Sequence, residues 1–166
     1  METNQGIVSV VTPKRMTRKI FISCLLSIYA ILQVSAFDFY ETNKDGVRIF
    51  YDIQAGTANR AIVVEGNQYY TGVVNIPDSV TYEGVKYGVE TIGSYAFSNS
   101  TGLTEVILPP NMKTIREFAF FRCGNLTSIH PLENVTTIRD RAFSECEALK
   151  ELTFSDNLTT IDANAF

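Results

Sequence analysis

This 166-residue chain contains one histidine and three cysteines, with no Cys-x-x-Cys pair and no glycine-rich phosphate loop. The scarcity of histidine argues against an enzyme. Ser-His-Asp catalysis would rest on His130 alone, and no nucleophile elbow accompanies it. The same residue has no column of carboxylates beside it, so neither a metal site nor acid–base chemistry is expected, and no cofactor is implied. Glu145 and Glu147 flank Cys146, but charges at i and i+2 do not share a helix face. Positive charge is also short: 14 basic residues face 18 acidic ones. Excess acid is the wrong sign for binding phosphates, which excludes nucleic acid as an expected partner.

Long apolar runs are lacking too. The run at 20–32 has 13 residues, short of the roughly 20 that a membrane-spanning helix needs. Arg18 and Lys19 precede it and the small residues of Val34-Ser-Ala36 follow, the arrangement of a secretory signal peptide. Residues 1–36 are therefore expected to be removed, with Met16 as the true start and no stable membrane span left after cleavage. Lys14, Arg15, Arg18, Lys19 and Glu2 leave with them, so the net charge of the remainder becomes about −7.

What the chain does contain is a copy of itself. Ile92-Gly-Ser-Tyr-Ala-Phe97 returns as Ile115-Arg-Glu-Phe-Ala-Phe120, as Ile138-Arg-Asp-Arg-Ala-Phe143 and as Ile161-Asp-Ala-Asn-Ala-Phe166, always 23 residues on. Leu103, Leu126 and Leu149 keep the same step, as do Val106, Ile129 and Leu152, then Met112, Val135 and Leu158, then Thr114, Thr137 and Thr160. A fixed period in the range of 20–29 residues with an L-x-x-L-x-L kernel marks a leucine-rich solenoid. The expected class is an α/β solenoid: a right-handed leucine-rich coil of 23-residue repeats with a β-rich N-terminal cap. Within a repeat, Ile115, Ala119 and Phe120 fit one face of a short helical turn. The run Leu103-x-x-Val106-x-Leu108 reads as a short strand. One repeat buries too little to offset the entropy of ordering its backbone, so the repeats must stack.

These residues resemble a known family. Ala119-Phe120 with Cys123, Ala142-Phe143 with Cys146, and Leu103-Thr-Glu-Val-Ile-Leu-Pro109 are similar to the BspA-like leucine-rich repeat of bacterial surface proteins. The resemblance covers 92–166 and implies a secreted or cell-surface solenoid, sometimes an adhesin for extracellular host proteins, with no catalytic residues. One departure is Pro131, which stands where Leu108 and Phe154 stand in the neighbouring repeats. Proline lacks a ladder donor, so that strand should be short.

The domains expected are 1–36 as signal, 37–91 as cap, and 92–166 as three complete repeats and a truncated fourth. In the cap, Val47, Ile49, Tyr51 and Ile53 alternate as a strand with one imperfect outward position, Phe50. Asp45-Gly46 marks a turn, and Gly66-Asn67 reads as a tight hairpin turn between 61–64 and Tyr69-Tyr70. Val74-Asn-Ile-Pro-Asp-Ser-Val80 resembles 106–112 at an offset of 32, a half-repeat with nine extra residues at 82–90 that should bulge as a hairpin.

Cys123 and Cys146 share one column. They read as small buried hydrophobes, because Ser100 fills the slot one repeat earlier, with a disulfide between them the alternative. Four N-x-[ST] tripeptides, at Asn99, Asn125, Asn134 and Asn157, are turn residues generated by the repeat. Outward positions on the strands are Glu105 and Ile107, Ser128 and His130, Glu151 and Thr153, and these six form the candidate binding face. The function expected is a secreted or cell-surface module for protein binding or adhesion, with an extracellular or host-surface protein as partner. The alternative is a structural spacer that displays a C-terminal domain. The chain stops inside a fourth repeat, which reads as a fragment or as an uncapped end open to self-association.

Overall fold

A computed structural model describes residues 37–54 and 58–166. The signal-peptide reading at 1–36 lies outside the described residues. Among the described residues eleven strands follow in order: β1 Phe39–Thr42, β2 Arg48–Gln54, β3 Arg60–Val64, β4 Thr71–Asn75, β5 Ser79–Tyr82, β6 Val85–Ile92, β7 Gly102–Ile107, β8 Thr114–Ile115, β9 Ser128–His130, β10 Thr137–Ile138 and β11 Thr160–Ile161. They form two sheets. The larger runs β1-β2-β3-β6-β8-β10-β11, with β5 paired to β6, and the smaller runs β4-β7-β9.

The repeat dictates both. Threonine and isoleucine of each coil lie beside those of the next, Thr91 and Ile92 against Thr114 and Ile115, then Thr137 and Ile138, then Thr160 and Ile161. This parallel ladder is one wall of the coil. β4, β7 and β9 pair in parallel as the other wall, with Val106 against Val74 and Ile129. Between the walls runs a column of rings. Phe97 stacks on Phe120 with centroids 5.0 Å apart, Phe120 on Phe143 at 5.3 Å and Phe143 on Phe166 at 5.4 Å. Tyr70, from the segment before the repeats, supplies a further rung at 4.6 Å from Phe97. Period-23 spacing thus becomes physical adjacency, and the burial that one coil lacks comes from its neighbours.

The helical turn is not there: the described residues contain no helix, and the coils turn through successive β-turns. The reason is backbone handedness. Tyr95 and Asn99, Phe118 and Arg122, and Arg141 and Glu145 all have positive φ, so a left-handed residue recurs every fourth position and stops a right-handed helix. The amide hydrogens then divide. Ala96, Ser98 and Ser100 donate to carbonyls three residues back, while Tyr95, Phe97 and Asn99 donate across to Glu117, Ala119 and Phe121 of the next coil. Every turn is therefore also a rung between coils.

The segment before the repeats is strand-built. β1 and β2 form an antiparallel hairpin around Gly46, whose φ is 80°, and β2 pairs with β3. β3 then joins β6 in parallel, which fuses these strands to the first coil. The extra nine residues do bulge as the hairpin of β5 and β6, with Glu83 and Gly84 both at positive φ, a type I′ turn.

Two local expectations are corrected. No hairpin forms at Gly66-Asn67, because β3 pairs with β2 and β6 whereas β4 joins the other sheet. Gly66 is needed for close approach: a Cβ there would fall 2.0 Å from the Phe50 ring. Phe50, read as an outward position, is buried. Phe37 at 4.5 Å and Tyr40 at 5.8 Å cover its second face. As expected, β9 stops before Pro131, and Leu132 takes the buried place beyond it.

Candidate functional site

The six residues read from the sequence divide four and two. Register sets Glu105 beside Ser128 and Ile107 beside His130 on adjacent strands, so these four share one sheet face. Val106 and Ile129, which alternate with them, are buried beneath. Glu151 and Thr153 are exposed one coil further on, but their segment forms no strand and does not extend the ladder.

The face extends the other way, onto β4. Val73 pairs with Glu105 and Asn75 with Ile107, and Val73 is 44% exposed. The signal for this was present: the half-repeat offset of 32 aligns 73 with 105 and 75 with 107. Reading that alignment through to the outward positions would have placed both residues on the face.

Polar groups there are held in place. His130 Nε2 lies 2.9 Å from Glu105 Oε1, a diagonal pair across the β7–β9 step. At the other border, Asn43 donates its side-chain amide to the Asn75 carbonyl at 2.7 Å, and Asn75 donates in turn to the Asp45 carboxylate. The β1–β2 turn is thereby tied to the edge of β4. No lysine or arginine stands on β4, β7 or β9. Arginines on the rest of the molecule form ion pairs instead: Arg60–Glu90 at 3.3 Å, Arg122–Glu145 at 3.0 Å and Arg139–Asp162 at 3.3 Å.

Other residues singled out by the sequence serve the stacking. Asn125, Asn134 and Asn157 donate side-chain amides to the carbonyls of Thr101, Pro110 and Glu133, each 24 residues back, at 2.7–2.8 Å. Two residues after each, Thr127, Thr136 and Thr159 donate hydroxyls to Thr104, Lys113 and Thr136. These three N-x-T tripeptides are thus two-pronged clamps on the preceding coil, whereas in the fourth Asn99 sits at positive φ and donates to Ser98. Asn111 supplies the amide prong alone toward Asp78, the equivalent carbonyl once the inserted hairpin is allowed for. The constant asparagine at 111, 134 and 157 was the unread signal.

Cys123 and Cys146 are free, buried thiols. Each donates to a carbonyl 26 residues back, Phe97 and Phe120 respectively, at 3.1 Å. Burial pushes Cys123 up to about 12 and Cys146 up to about 11, so both stay protonated and unreactive. On the turn edge, Tyr95 stacks on Phe118 at 4.9 Å, with the Arg141 guanidinium 5.6 Å from the Phe118 ring. An open cleft of about 440 Å³ lies between the inserted hairpin and the Pro110-Asn111 turn. Among the described residues, no group of three His, Cys, Asp or Glu side chains could hold a metal ion.

Residues 74–166 match the family model described as the BspA type leucine-rich repeat region. The fold is similar to that of a leucine-rich repeat protein from Bacteroides ovatus, at 34% identity and a TM-score of 0.64 over 71% of this chain. It is also similar to one from Bacteroides capillosus, at 28% identity and a TM-score of 0.58 over 69% of this chain. The match spans 31% of the B. ovatus chain and 88% of the B. capillosus chain. No curated protein matches the chain.

Proposed function

This chain belongs to the BspA-type leucine-rich repeat family, and from that premise we propose that it is an exported, surface-displayed module that binds an extracellular or host-surface protein. Binding occurs on the face of β4, β7 and β9, with Val73, Asn75, Glu105, Ile107, Ser128 and His130 as contacts and Glu151 and Thr153 at its far margin. Strands β1–β3 cap the first coil and brace the border of that face through Asn43 and Asp45. Secretion follows from the signal peptide read at 1–36.

The observation that carries this reading is the difference between the faces. On the turn edge and the larger sheet, coil-to-coil ion pairs occupy many of the charged side chains. The smaller sheet has one such cross-coil pair, His130 with Glu105, and beside it presents exposed Val73 and half-buried Ile107 among polar groups fixed by their neighbours. Preset polar groups lose little entropy on binding, and exposed aliphatic area supplies the driving force. The test is solid-phase binding of the full chain to a panel of extracellular-matrix and host-surface proteins. Val73→Asp and Glu105→Lys should each weaken binding tenfold or more, and binding that survives both variants refutes the assignment.

A further inference from the structure

We infer that the partner presents basic side chains, lysine or arginine set among small aliphatic ones, to the β4–β7–β9 face. The inference rests on the proposed function and names the chemistry of the partner. Charge is segregated around this solenoid. Arg48, at the start of β2 just after the Asp45 turn, Arg60 and the six lysines and arginines from Lys86 to Arg141 stand on the larger sheet or on the turns and loops beside it, and several are already paired. Lys44 and Lys150 directly precede Asp45 and Glu151 in sequence, but neither is on the strands of the smaller sheet.

Carboxylates are not excluded in the same way: most also lie on the larger sheet and the turns, but three stand on or beside this face. Glu105 sits at the centre of the face and is oriented by His130. Asp45 stands at the border, oriented by Asn75. Glu151 is exposed at the far margin. Two of these three are held by hydrogen bonds, so an incoming ammonium or guanidinium group meets acceptors already in place. Between them Val73 and Ile107 offer aliphatic surface, which an acidic or purely polar partner would not use. An acidic partner would also bring like charges together with no lysine or arginine on these strands to offset them.

The experiment uses the full chain and three octapeptides, alternating valine with lysine, glutamine or glutamate, followed by fluorescence anisotropy. The lysine peptide should bind and the glutamate peptide should not. Asp45→Asn combined with Glu105→Gln, two near-isosteric changes, should weaken lysine-peptide binding tenfold or more. Glu145→Gln, which removes the same charge on the turn edge, should leave it within twofold. Thermal melts monitored by circular dichroism check that each variant folds. Equal loss with Glu145→Gln would assign the effect to net charge and overturn the inference, as would equal binding of the glutamine peptide. The protein panel separates the two levels of the argument. Panel binding lost in Val73→Asp but intact in the double variant keeps the face and rejects a basic partner. Panel binding intact in both Val73→Asp and Glu105→Lys rejects the face itself.

Discussion

Phe120→Ala removes the middle ring of the column that threads the coils. The ring is fully buried, with Phe97 and Phe143 stacked on its two faces at 5.0 and 5.3 Å. Truncating a buried phenylalanine to alanine costs about 3–5 kcal/mol, since neighbouring groups collapse only partly into the space. Here collapse is resisted from both sides. Phe97 and Phe143 belong to coils whose spacing is fixed by backbone bonds such as that from Phe97 N to Ala119 O at 2.8 Å. A loss of about 4 kcal/mol is a large part of the roughly 5–15 kcal/mol that holds a domain folded. With a urea slope of about 2 kcal/mol/M, the midpoint should fall by about 2 M. Phe118→Ala is the matched control: it deletes the same ring two residues away, half-buried on the outer edge, where the contacts with Tyr95 and Phe121 are worth about 0.5–1.5 kcal/mol each and the loss should stay below that of Phe120→Ala. Urea unfolding followed by far-ultraviolet circular dichroism measures both. Midpoints that fall by equal amounts would refute the claim that the inner column holds the coils together.

Gly93→Ala should destabilise the chain by about 1–3 kcal/mol in the same assay, because its Cβ would sit 2.6 Å from the Val63 carbonyl, whereas Gly124→Ala, with nothing within 4 Å, should be close to neutral. Asn134→Ala breaks the clamp onto Pro110 and should cost about 1 kcal/mol, with Thr136→Val adding a smaller loss. Cys123 and Cys146 should resist iodoacetamide in the folded protein and react on addition of denaturant, as read by mass spectrometry. Both thiols are raised in the folded state, so the fold binds their protons more tightly than the unfolded chain does. The thiols' contribution should therefore be complete below about pH 9 and lost as pH rises toward about 12, and replacing both cysteines with alanine should remove the decline that begins between pH 9 and pH 10, before buried Tyr51 and Tyr70, whose hydroxyls are also raised from 10, add theirs.

The stacking was legible in the sequence because a solenoid places residue i beside residue i+23, so columns of letters become columns of atoms. Ile92, Phe97 and Leu103 could be read inward for that reason alone. The turn between them could not. Ile, Ala and Phe at i, i+4 and i+5 suit a helical face, yet the backbone carries Tyr95, Phe118 and Arg141 at positive φ, where side-chain identity gives no warning. Glycine would have been the usual signal. At Gly66 the glycine was present, but it served the Phe50 ring rather than a turn, a constraint set by a residue 16 positions away. Gly93 follows the same logic: later coils carry Arg116, Arg139 and Asp162 in that column, and only the first coil lies under β3. On the candidate face, Glu105, Ile107, Ser128 and His130 were placed by alternation. Val73 and Asn75 were missed because the inserted hairpin shifts their offset from 23 to 32.

Amide hydrogen exchange of the full chain, alone and with its bound partner, tests the account most directly. Newly slowed exchange should map to 71–75, 102–107 and 128–130, with the turn edge at 94–99 and 117–122 unchanged. Protection confined to the turn edge, with the three strands exchanging as before, would contradict it.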